Sequence, residues 1–399
     1  MRYLLCSFCF PINSIMRIKK RIAVTVALVM SAYAFLLLAG CSRQEQKWPN
    51  IQPSPGARQI RIDSVTLDKV SLDSVYCSGI GFSCFTTSLK ICYFDRYLGY
   101  LYSFDIDGTL LDRKYGLGRG PGEVIIENPF GFYLDEAGDL TLLGNGLDVE
   151  THSARGDRDY FMIAYQQNGT DASNDYSTYT HSIMPEVHTR GDSEILYCLF
   201  CENPNFNMLN HTAKFLEEAY HLAVIDKNTH EGKVIVKGFP SKYYESPYQL
   251  FAFSYNHYDL LPGSDKMLVS FEGTPELYLC DSMGRPQHAF GSPGKDMDQD
   301  YLPVNSFEAD DVKNFRRNRE TKGYYGPVKV HGRYVFRSYK KGAGSSFDGL
   351  QIYENEVLIA DLDVPKDFCV IGVSGKKVIS NIQFDEDAEQ LYCYEFEME

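Results

Sequence analysis

Residues 100–116 read YLYSFDIDGTLLDRKYG, and residues 276–291 read ELYLCDSMGRPQHAFG. Each stretch begins with an apolar and aromatic run, turns at an Asp-x-x-Gly sequence, and continues into a second run that ends in glycine. The matching positions are Leu101 and Leu277, Tyr102 and Tyr278, Asp105 and Asp281, and Gly108 and Gly284. Aspartate and glycine are typical turn residues, so each stretch predicts a β-hairpin.

Looser copies of this strand–turn–strand unit lie at residues 221–236, 350–359 and 391–395. From Asp105 to Glu395 the five steps average about 58 residues, a period that suits four-stranded propeller blades carrying insertions. The sequence therefore predicts an all-β fold, a six-bladed β-propeller, with seven blades as the alternative. The expected blades are residues 75–118, 120–170, 176–240, 245–295, 322–363 and 366–399.

Two segments outside the repeats complete this prediction. The last blade holds only about three strands, and Gln59–Leu67 alternates apolar and polar residues before the first blade. We expect this early segment to supply the missing fourth strand and close the ring. Asn305–Lys322 mixes charges with Phe307 and Val312, which predicts a helical insertion between blades.

The composition agrees with a β fold. Of the 399 residues, 29 are Tyr and 25 are Phe, and aromatic side chains favour pleated, half-buried surfaces. The chain has 39 basic and 53 acidic residues, a net charge of −14. Residues 1–41 hold five basic residues and no acid, so the rest of the chain carries −19. Such a charge excludes nucleic acid as an expected partner.

The first 41 residues have the pattern of an export signal. A basic cluster at 17–21 is followed by 17 uncharged residues, Ile22 to Leu38. Leu38-Ala-Gly-Cys41 then resembles the lipobox of bacterial lipoproteins. That resemblance implies cleavage between Gly40 and Cys41, a diacylglyceryl group on the Cys41 sulfur, and an acyl chain such as palmitate on the new amine. The alternative is an uncleaved single-span anchor, since 17 residues is the lower limit for crossing a bilayer.

These signals divide the chain into four parts. Met16 directly precedes the basic cluster, so residues 1–15 are interpreted as an extension before the natural start. Residues 16–40 form the lipoprotein signal peptide, and residues 41–58, rich in proline and glycine, form a lipidated tether. Residues 59–399 form the propeller domain.

A glycine-rich connector between blades adds to the resemblance of this chain to a known protein family. Residues 115–123 read YGLGRGPGE after a predicted blade. Together with the lipobox and the Asp-x-x-Gly hairpins, this connector resembles the TolB-like six-bladed β-propeller lipoproteins of Gram-negative bacteria, a group similar to NHL-repeat propellers. The resemblance covers residues 59–399 and weakens over 140–215. It implies the fold and a place in the cell envelope, at the outer membrane, and assigns no activity.

Two sets of residues are candidates for ligand binding. In the glycine-rich connector, Arg119 and the backbone amides have the chemistry to bind an anion. The alternative is structural: Arg119 and Glu123 bridge neighbouring blades, and the glycines shape the turn. In residues 333–341, RYVFRSYKK, basic and aromatic residues alternate. Arg337 and Tyr339 there suggest a stacking surface for a glycan or peptide, although any half-exposed strand alternates in this way.

No catalytic or metal-binding motif is found, and no cofactor is expected. The nine histidines are dispersed, and the chain lacks the His-Glu-x-x-His and Gly-x-Ser-x-Gly sequences. Cys198 and Cys201 lie in a strand-like run, where residues three apart face opposite sides, which argues against a zinc or redox site. The acid-rich turns do not match a calcium loop.

The sequence thus predicts a lipid-anchored envelope propeller that acts as a binding or scaffolding module for a protein, peptide or glycan. Its predicted contact with the membrane is the lipid on Cys41. The alternative is a propeller hydrolase or lactonase with a divalent metal held in the central channel by residues from different blades. Such ligands leave no local signature, so the sequence does not decide whether the chain is an enzyme.

Overall fold

The structure is a computed structural model that describes residues 51, 54, 57–86, 88–145, 148–165, 177–179, 186–202, 208, 212–306 and 308–398. These residues belong to one unit, Lys47–Glu399. The predicted signal peptide, Gly40, Cys41 and most of the tether lie outside the described residues. Within the described part, no helix combines the length and hydropathy that a bilayer crossing requires.

The chain folds into six predominantly antiparallel sheets arranged as the blades of a β-propeller. Two strands precede the blades, β1 (Arg58–Ile62) and β2 (Asp68–Ser71). Blade one consists of β3 (Gly81–Phe85), β4 (Ile91–Asp95), β5 (Tyr100–Phe104) and β6 (Leu110–Tyr115). Blade two consists of β7 (Gly131–Leu134), β8 (Leu140–Leu143), β9 (Asp148–His152) and β10 (Arg158–Met162). Blade three consists of β11 (Ala164–Tyr165), β12 (Ser177–Tyr179), β13 (Val187–Arg190), β14 (Glu194–Glu202), β15 (Tyr220–Asp226) and β16 (Glu231–Lys237).

Blade four consists of β17 (Asn256–Leu260), β18 (Met267–Phe271), β19 (Glu276–Cys280) and β20 (Pro286–Gly291). Blade five consists of β21 (Tyr324–His331), β22 (Tyr334–Lys340), β23 (Asp348–Glu354) and β24 (Val357–Val364). Blade six contains β25 (Val370–Ser374), β26 (Lys377–Ser380), β27 (Gln383–Asp385) and β28 (Gln390–Glu397). Blade count and fold class match the sequence prediction, with six blades rather than seven.

The repeated hairpins are confirmed as a structural unit. The five copies read from the sequence are the third strands of their blades, namely β5, β15, β19, β23 and β28. In blade one, an Asp105 carboxylate oxygen accepts a hydrogen bond from the Thr109 amide at 2.8 Å, and Gly108 has a φ of 90°. In blade four, Asp281 accepts from the Arg285 amide at 2.9 Å. The aspartate therefore closes each turn on its own backbone, as the sequence pattern predicts.

Aromatic residues fill the spaces between blades. The rings of Phe94 and Phe132 stack between blades one and two at 5.4 Å, and Phe290 meets Tyr353 edge-on between blades four and five at 5.5 Å. All four residues are buried. Each such side chain contributes about 1.5–3 kcal/mol when fully buried, so these interfaces account for the high Tyr and Phe content.

The segment that closes the ring differs from the prediction. Gln59–Leu67 does not complete blade six: its strand β1 pairs in parallel with β24 at the outer edge of blade five. The fourth strand of blade six is β2, which pairs antiparallel with β28. Asp68–Ser71 has one apolar residue, so no strand pattern marks it, and the exposed edge of β28 determines its conformation. Earlier still, the Ser54 amide donates to Ala289 on β20 of blade four.

The described residues of this segment, 51, 54 and 57–71, therefore form a strap along the outer edges of blades four, five and six. Helices are few in the described part: α1 (Thr212–Glu218), α2 (Lys242–Glu245), α3 (Pro247–Phe251) and α4 (Ala309–Thr321). The last of these confirms the predicted helical insertion between blades four and five. It brings Arg319 to Glu272, which follows β18, as described below.

Candidate functional site

The first strands of the six blades converge on a central cavity of about 460 Å³. They are β3, β7, β13, β17, β21 and β25, and contacts between inner strands of neighbouring blades run around the axis, with β14 of blade three meeting β17 of blade four. A cavity of this size is within the range of small-ligand sites. Every one of the six blades contributes a lining residue within, or directly beside, its first strand. No stretch of contiguous sequence therefore specifies the site.

One part of the cavity wall is apolar. The rings of Phe82 and Phe132 stack at 5.6 Å with an interplanar angle of 11°, and Phe85 lines the same cavity from β3. Val370 and Ile371 contribute aliphatic side chains from β25. These groups offer a ligand a surface for apolar and aromatic contact.

A cluster of ionisable groups occupies another part of the wall. The Asp259 carboxylate lies 3.5 Å from His188 Nε2 and 3.5 Å from Lys329 Nζ, and it accepts a hydrogen bond from the Val330 amide at 2.7 Å. Asp259 raises the pKa of Lys329, so this ammonium stays charged. Burial lowers the pKa of His188 and keeps the imidazole neutral at pH 7. About a third of the Lys329 side chain remains exposed, which leaves it accessible to a ligand.

A second polar group lies beside the first. His257 Nδ1 donates to Glu186 at 2.7 Å, and its Nε2 lies 3.6 Å from Glu272. Burial opposes the charge on His257, but the two carboxylates outweigh burial and raise its pKa to about 9. Glu272 is fully buried and also forms a two-point ion pair with Arg319 of α4. The Arg319 guanidinium lies 4.1 Å from the centre of the Tyr324 ring.

The second group borders a smaller cavity of about 280 Å³. Glu186, Pro327 and Cys369 line both cavities, so the two adjoin. On β17, His257 precedes Asp259 by two residues, which places both side chains on one face of the strand. The two ion clusters therefore form a continuous polar strip along the inner strands.

The glycine-rich connector lies away from this cavity, between β6 and β7. Arg119 is exposed, and the Glu123 carboxylate accepts from the Gly120 amide within the same loop at 2.7 Å. Glu123 thus shapes its own turn rather than bridging blades through its side chain. Gly122 has a φ of 76°, which glycine adopts readily, and a Cβ at Gly118 would lie 1.9 Å from the Glu123 carboxylate.

Arg337 and Tyr339 are both buried, which is incompatible with an exposed stacking surface. Arg337 donates to the carbonyl oxygens of Pro275 and Thr274 at 2.6 and 2.8 Å, and its guanidinium lies 3.6 Å from the centre of the Tyr325 ring. Burial lowers the pKa of this arginine. Tyr339 donates to Asp361 at 2.6 Å and borders the smaller cavity. The alternation on β22 therefore reflects packing between blades, not a surface for a ligand.

Among the described residues, no group of three or more His, Cys, Asp or Glu side chains has an arrangement able to hold a metal ion. Cys198 is buried, and the Cys201 side chain lies outside what the structure describes. In the acid-rich turns, Asp135 and Asp226 accept hydrogen bonds from backbone amides. These carboxylates therefore organise turns, as Asp105 and Asp281 do.

The sequence did not point to the residues that make up the site. Lys329, Asp259, His188, His257 and Glu272 are isolated in the sequence, in segments with no motif. One signal was present: each lies in or near the first or second strand of a blade, the strands that approach the axis of a propeller. Recognising it requires the blade boundaries, which the sequence defined only coarsely.

The sequence matches no family model and no curated protein. Among solved structures, a member of the DUF4221 family from Bacteroides vulgatus is similar, with a TM-score of 0.58, 13% identity, and coverage of 88% of this chain and 99% of that chain. An exported protein from Bacteroides fragilis has a TM-score of 0.48, 12% identity, and coverage of 84% and 96%. Virginiamycin B lyase from Staphylococcus aureus has a TM-score of 0.40, 8% identity, and coverage of 82% and 98%. At these identities the similarity shows the fold alone.

Proposed function

We propose that this chain is an envelope binding module whose central cavity receives an apolar side chain of a peptide or protein ligand. The observation that carries the proposal is the convergence of all six blades on one cavity with an aromatic and aliphatic wall. The ligand's side chain packs against Phe82, Phe85 and Ile371. A carbonyl or carboxylate oxygen of the ligand accepts a hydrogen bond from Lys329.

The apolar wall favours a peptide over a glycan. Phe82, Phe85, Phe132, Val370 and Ile371 offer an apolar side chain a contact surface and offer the hydroxyl groups of a glycan no hydrogen bond, while Asp259 of the polar wall is already engaged by His188 and Lys329. A rigid propeller also suits recognition, because the scaffold holds the lining residues in place. TolB-like propeller lipoproteins, which the lipobox, the hairpins and the connector of this chain resemble, are the family to which we assign it.

The ligand contact at Lys329 is tested with a phage-displayed random peptide library selected on the purified mature domain. We expect selected peptides to lose about tenfold in affinity for Lys329→Met, because a charged hydrogen bond contributes about 1.5 kcal/mol. Lys376→Met, at an exposed turn, is the control and keeps parent affinity. The double variant Lys329→Met, Asp259→Asn is measured as well. It also removes the Asp259 carboxylate, which the single variant leaves without the Lys329 ammonium.

Selected peptides that bind all variants equally would overturn this site. If glycans on an array bind and peptides do not, and if the glycan binding depends on Lys329, the ligand class changes to a glycan while the proposed site is retained. Thermal melting of each variant confirms that the fold is intact before affinities are compared.

We further propose that the module is attached to the outer membrane by lipid on Cys41. The support is the order of basic cluster, apolar run and lipobox in the sequence. In cells fed labelled palmitate, the parent incorporates the label, while Cys41→Ala does not and accumulates as an unprocessed precursor. Normal labelling of Cys41→Ala would contradict the anchor.

A further inference from the structure

Two cysteines face each other in the wall of the central cavity. In blade one, Cys84 on β3 and Cys92 on β4 are directly opposite in an antiparallel register. Opposite residues of such a pair point to the same face of the sheet. Cys84 is half-buried and lines the cavity, whereas Cys92 lies behind it with 1% of its surface exposed.

The pair differs from the other strand cysteines that the structure describes. Cys198 is opposite Leu222, Cys280 is opposite Met267, and Cys393 is opposite Val70. Within the described strands, Cys84 and Cys92 alone are register partners. Packing explains single buried cysteines as small apolar residues, but it does not require two thiols in mutual contact.

We propose that Cys84 and Cys92 form a reversible disulfide bond in the wall of the cavity. Directly opposite residues have Cβ atoms about 4.5–5.5 Å apart, while a disulfide needs about 3.5–4.5 Å. Closing the bond therefore draws β3 and β4 together slightly and leaves the disulfide strained. A strained disulfide is more easily reduced, so the bond responds to the redox conditions around the protein.

The reaction proceeds by thiol–disulfide exchange with an external disulfide, such as oxidised glutathione or a protein disulfide. Cys84 is the thiol that an external disulfide reaches through the cavity; its hydrogen bond to Cys92 and its burial raise its pKa, so this first step is slow. Cys84 gives up its proton and attacks one sulfur of the external disulfide, releasing the first thiolate. The Cys92 thiolate then attacks the Cys84 sulfur and releases the second. The protein loses two electrons and two protons, and the external disulfide becomes two thiols.

The surroundings of Cys92 support this resolving role. In the reduced protein a hydrogen bond from the Cys84 thiol lowers the pKa of Cys92, burial opposes this effect, and the Ser103 hydroxyl, 3.6 Å from the Cys92 sulfur, adds to it. Once Cys84 is in the mixed disulfide its thiol no longer donates, and the Ser103 hydroxyl is the group that still stabilises the Cys92 thiolate. A thiol with a lowered pKa supplies more thiolate. The predicted export signal would place the folded chain where disulfides persist.

Trypsin makes the bond directly measurable, because Lys90 separates the two cysteines. Cleavage gives one peptide of residues 70–90, with Cys77 and Cys84, and one of residues 91–96, with Cys92. The purified folded protein is treated with oxidised glutathione, its remaining thiols are alkylated under denaturing conditions, and the digest is analysed by mass spectrometry. We expect a 70–90 to 91–96 crosslink that disappears after dithiothreitol.

Two variants make the result specific. Cys84→Ser should abolish the crosslink, whereas Cys369→Ser, which removes another thiol from the cavity wall, should keep it. Separately alkylated peptides from the oxidised parent would overturn the proposal. A crosslink that persists in Cys84→Ser would assign the bond to Cys77 and also overturn it. Melting curves of both variants show that they are folded, and no step depends on the proposed peptide ligand.

Discussion

At the scale of single residues, His257 at the smaller, adjoining cavity is held between two carboxylates. A histidine at 4% exposure has little water to support its charge, so Glu186 and Glu272 must do so. The pKa of about 9, compared with the ordinary 6.5, means that the folded protein binds this proton more tightly than the unfolded chain. The associated stability is therefore complete below pH 6.5 and is lost as the pH rises through about 9.

This linkage predicts a pH-dependent difference between the parent and His257→Gln. Between pH 7 and pH 10, the free energy of unfolding of the parent should fall by on the order of 2 kcal/mol more than that of the variant. Urea denaturation across this range measures both. His331→Gln, at the exposed end of β21, is the control and should follow the parent. Parallel pH profiles for the parent and His257→Gln would show that His257 is neutral in the folded state.

The sequence alone does not show which charged residues are buried. The alternation of Arg337 with aromatic neighbours predicts an exposed binding residue, yet Arg337 is fully buried against Tyr325 and two carbonyl oxygens. Strand alternation identifies which residues share a face. It does not indicate whether that face meets solvent or the next blade, because both faces of a blade are covered.

At the scale of secondary structure elements, the hairpins were predictable and the strap was not. The Asp-x-x-Gly turns depend on residues within five positions, so the sequence contains all of their determinants. The pairing of β2 with β28 joins residues more than 300 positions apart. Asp68–Ser71 becomes a strand because β28 offers an unpaired edge, and local propensity contributes little.

The strap predicts different outcomes for two truncations. A domain beginning at Asp63 lacks β1 but keeps β2, so it should still melt cooperatively, at a lower temperature than the parent. A domain beginning at Leu72 loses β2 as well, exposing the edge of β28 and opening blade six, and it should aggregate or fail to melt cooperatively. Calorimetry and size-exclusion chromatography distinguish these states. Identical behaviour of the two domains would refute closure of the ring by β2.

At the scale of the whole molecule, the site forms because the closure of six blades into a ring brings their inner strands together. The hairpin repeat was enough to predict six blades and hence a central channel. The sequence could not show which side chains meet there, because the lining residues come from all six blades, far apart along the chain. Lys329 and Asp259 are 70 residues apart, yet their charged groups lie 3.5 Å from each other.

The most direct test of ligand binding in the central cavity is photo-crosslinking of a Lys329-dependent peptide. Its apolar anchor residue is replaced with a benzophenone amino acid, the complex is irradiated, and the adducts are mapped by mass spectrometry. We predict adducts on the first strands of the blades, around Phe82, Phe132, Val328 and Ile371. Adducts confined to the outer strands β6 and β10 would contradict the account, because they would place the ligand on the rim of the propeller.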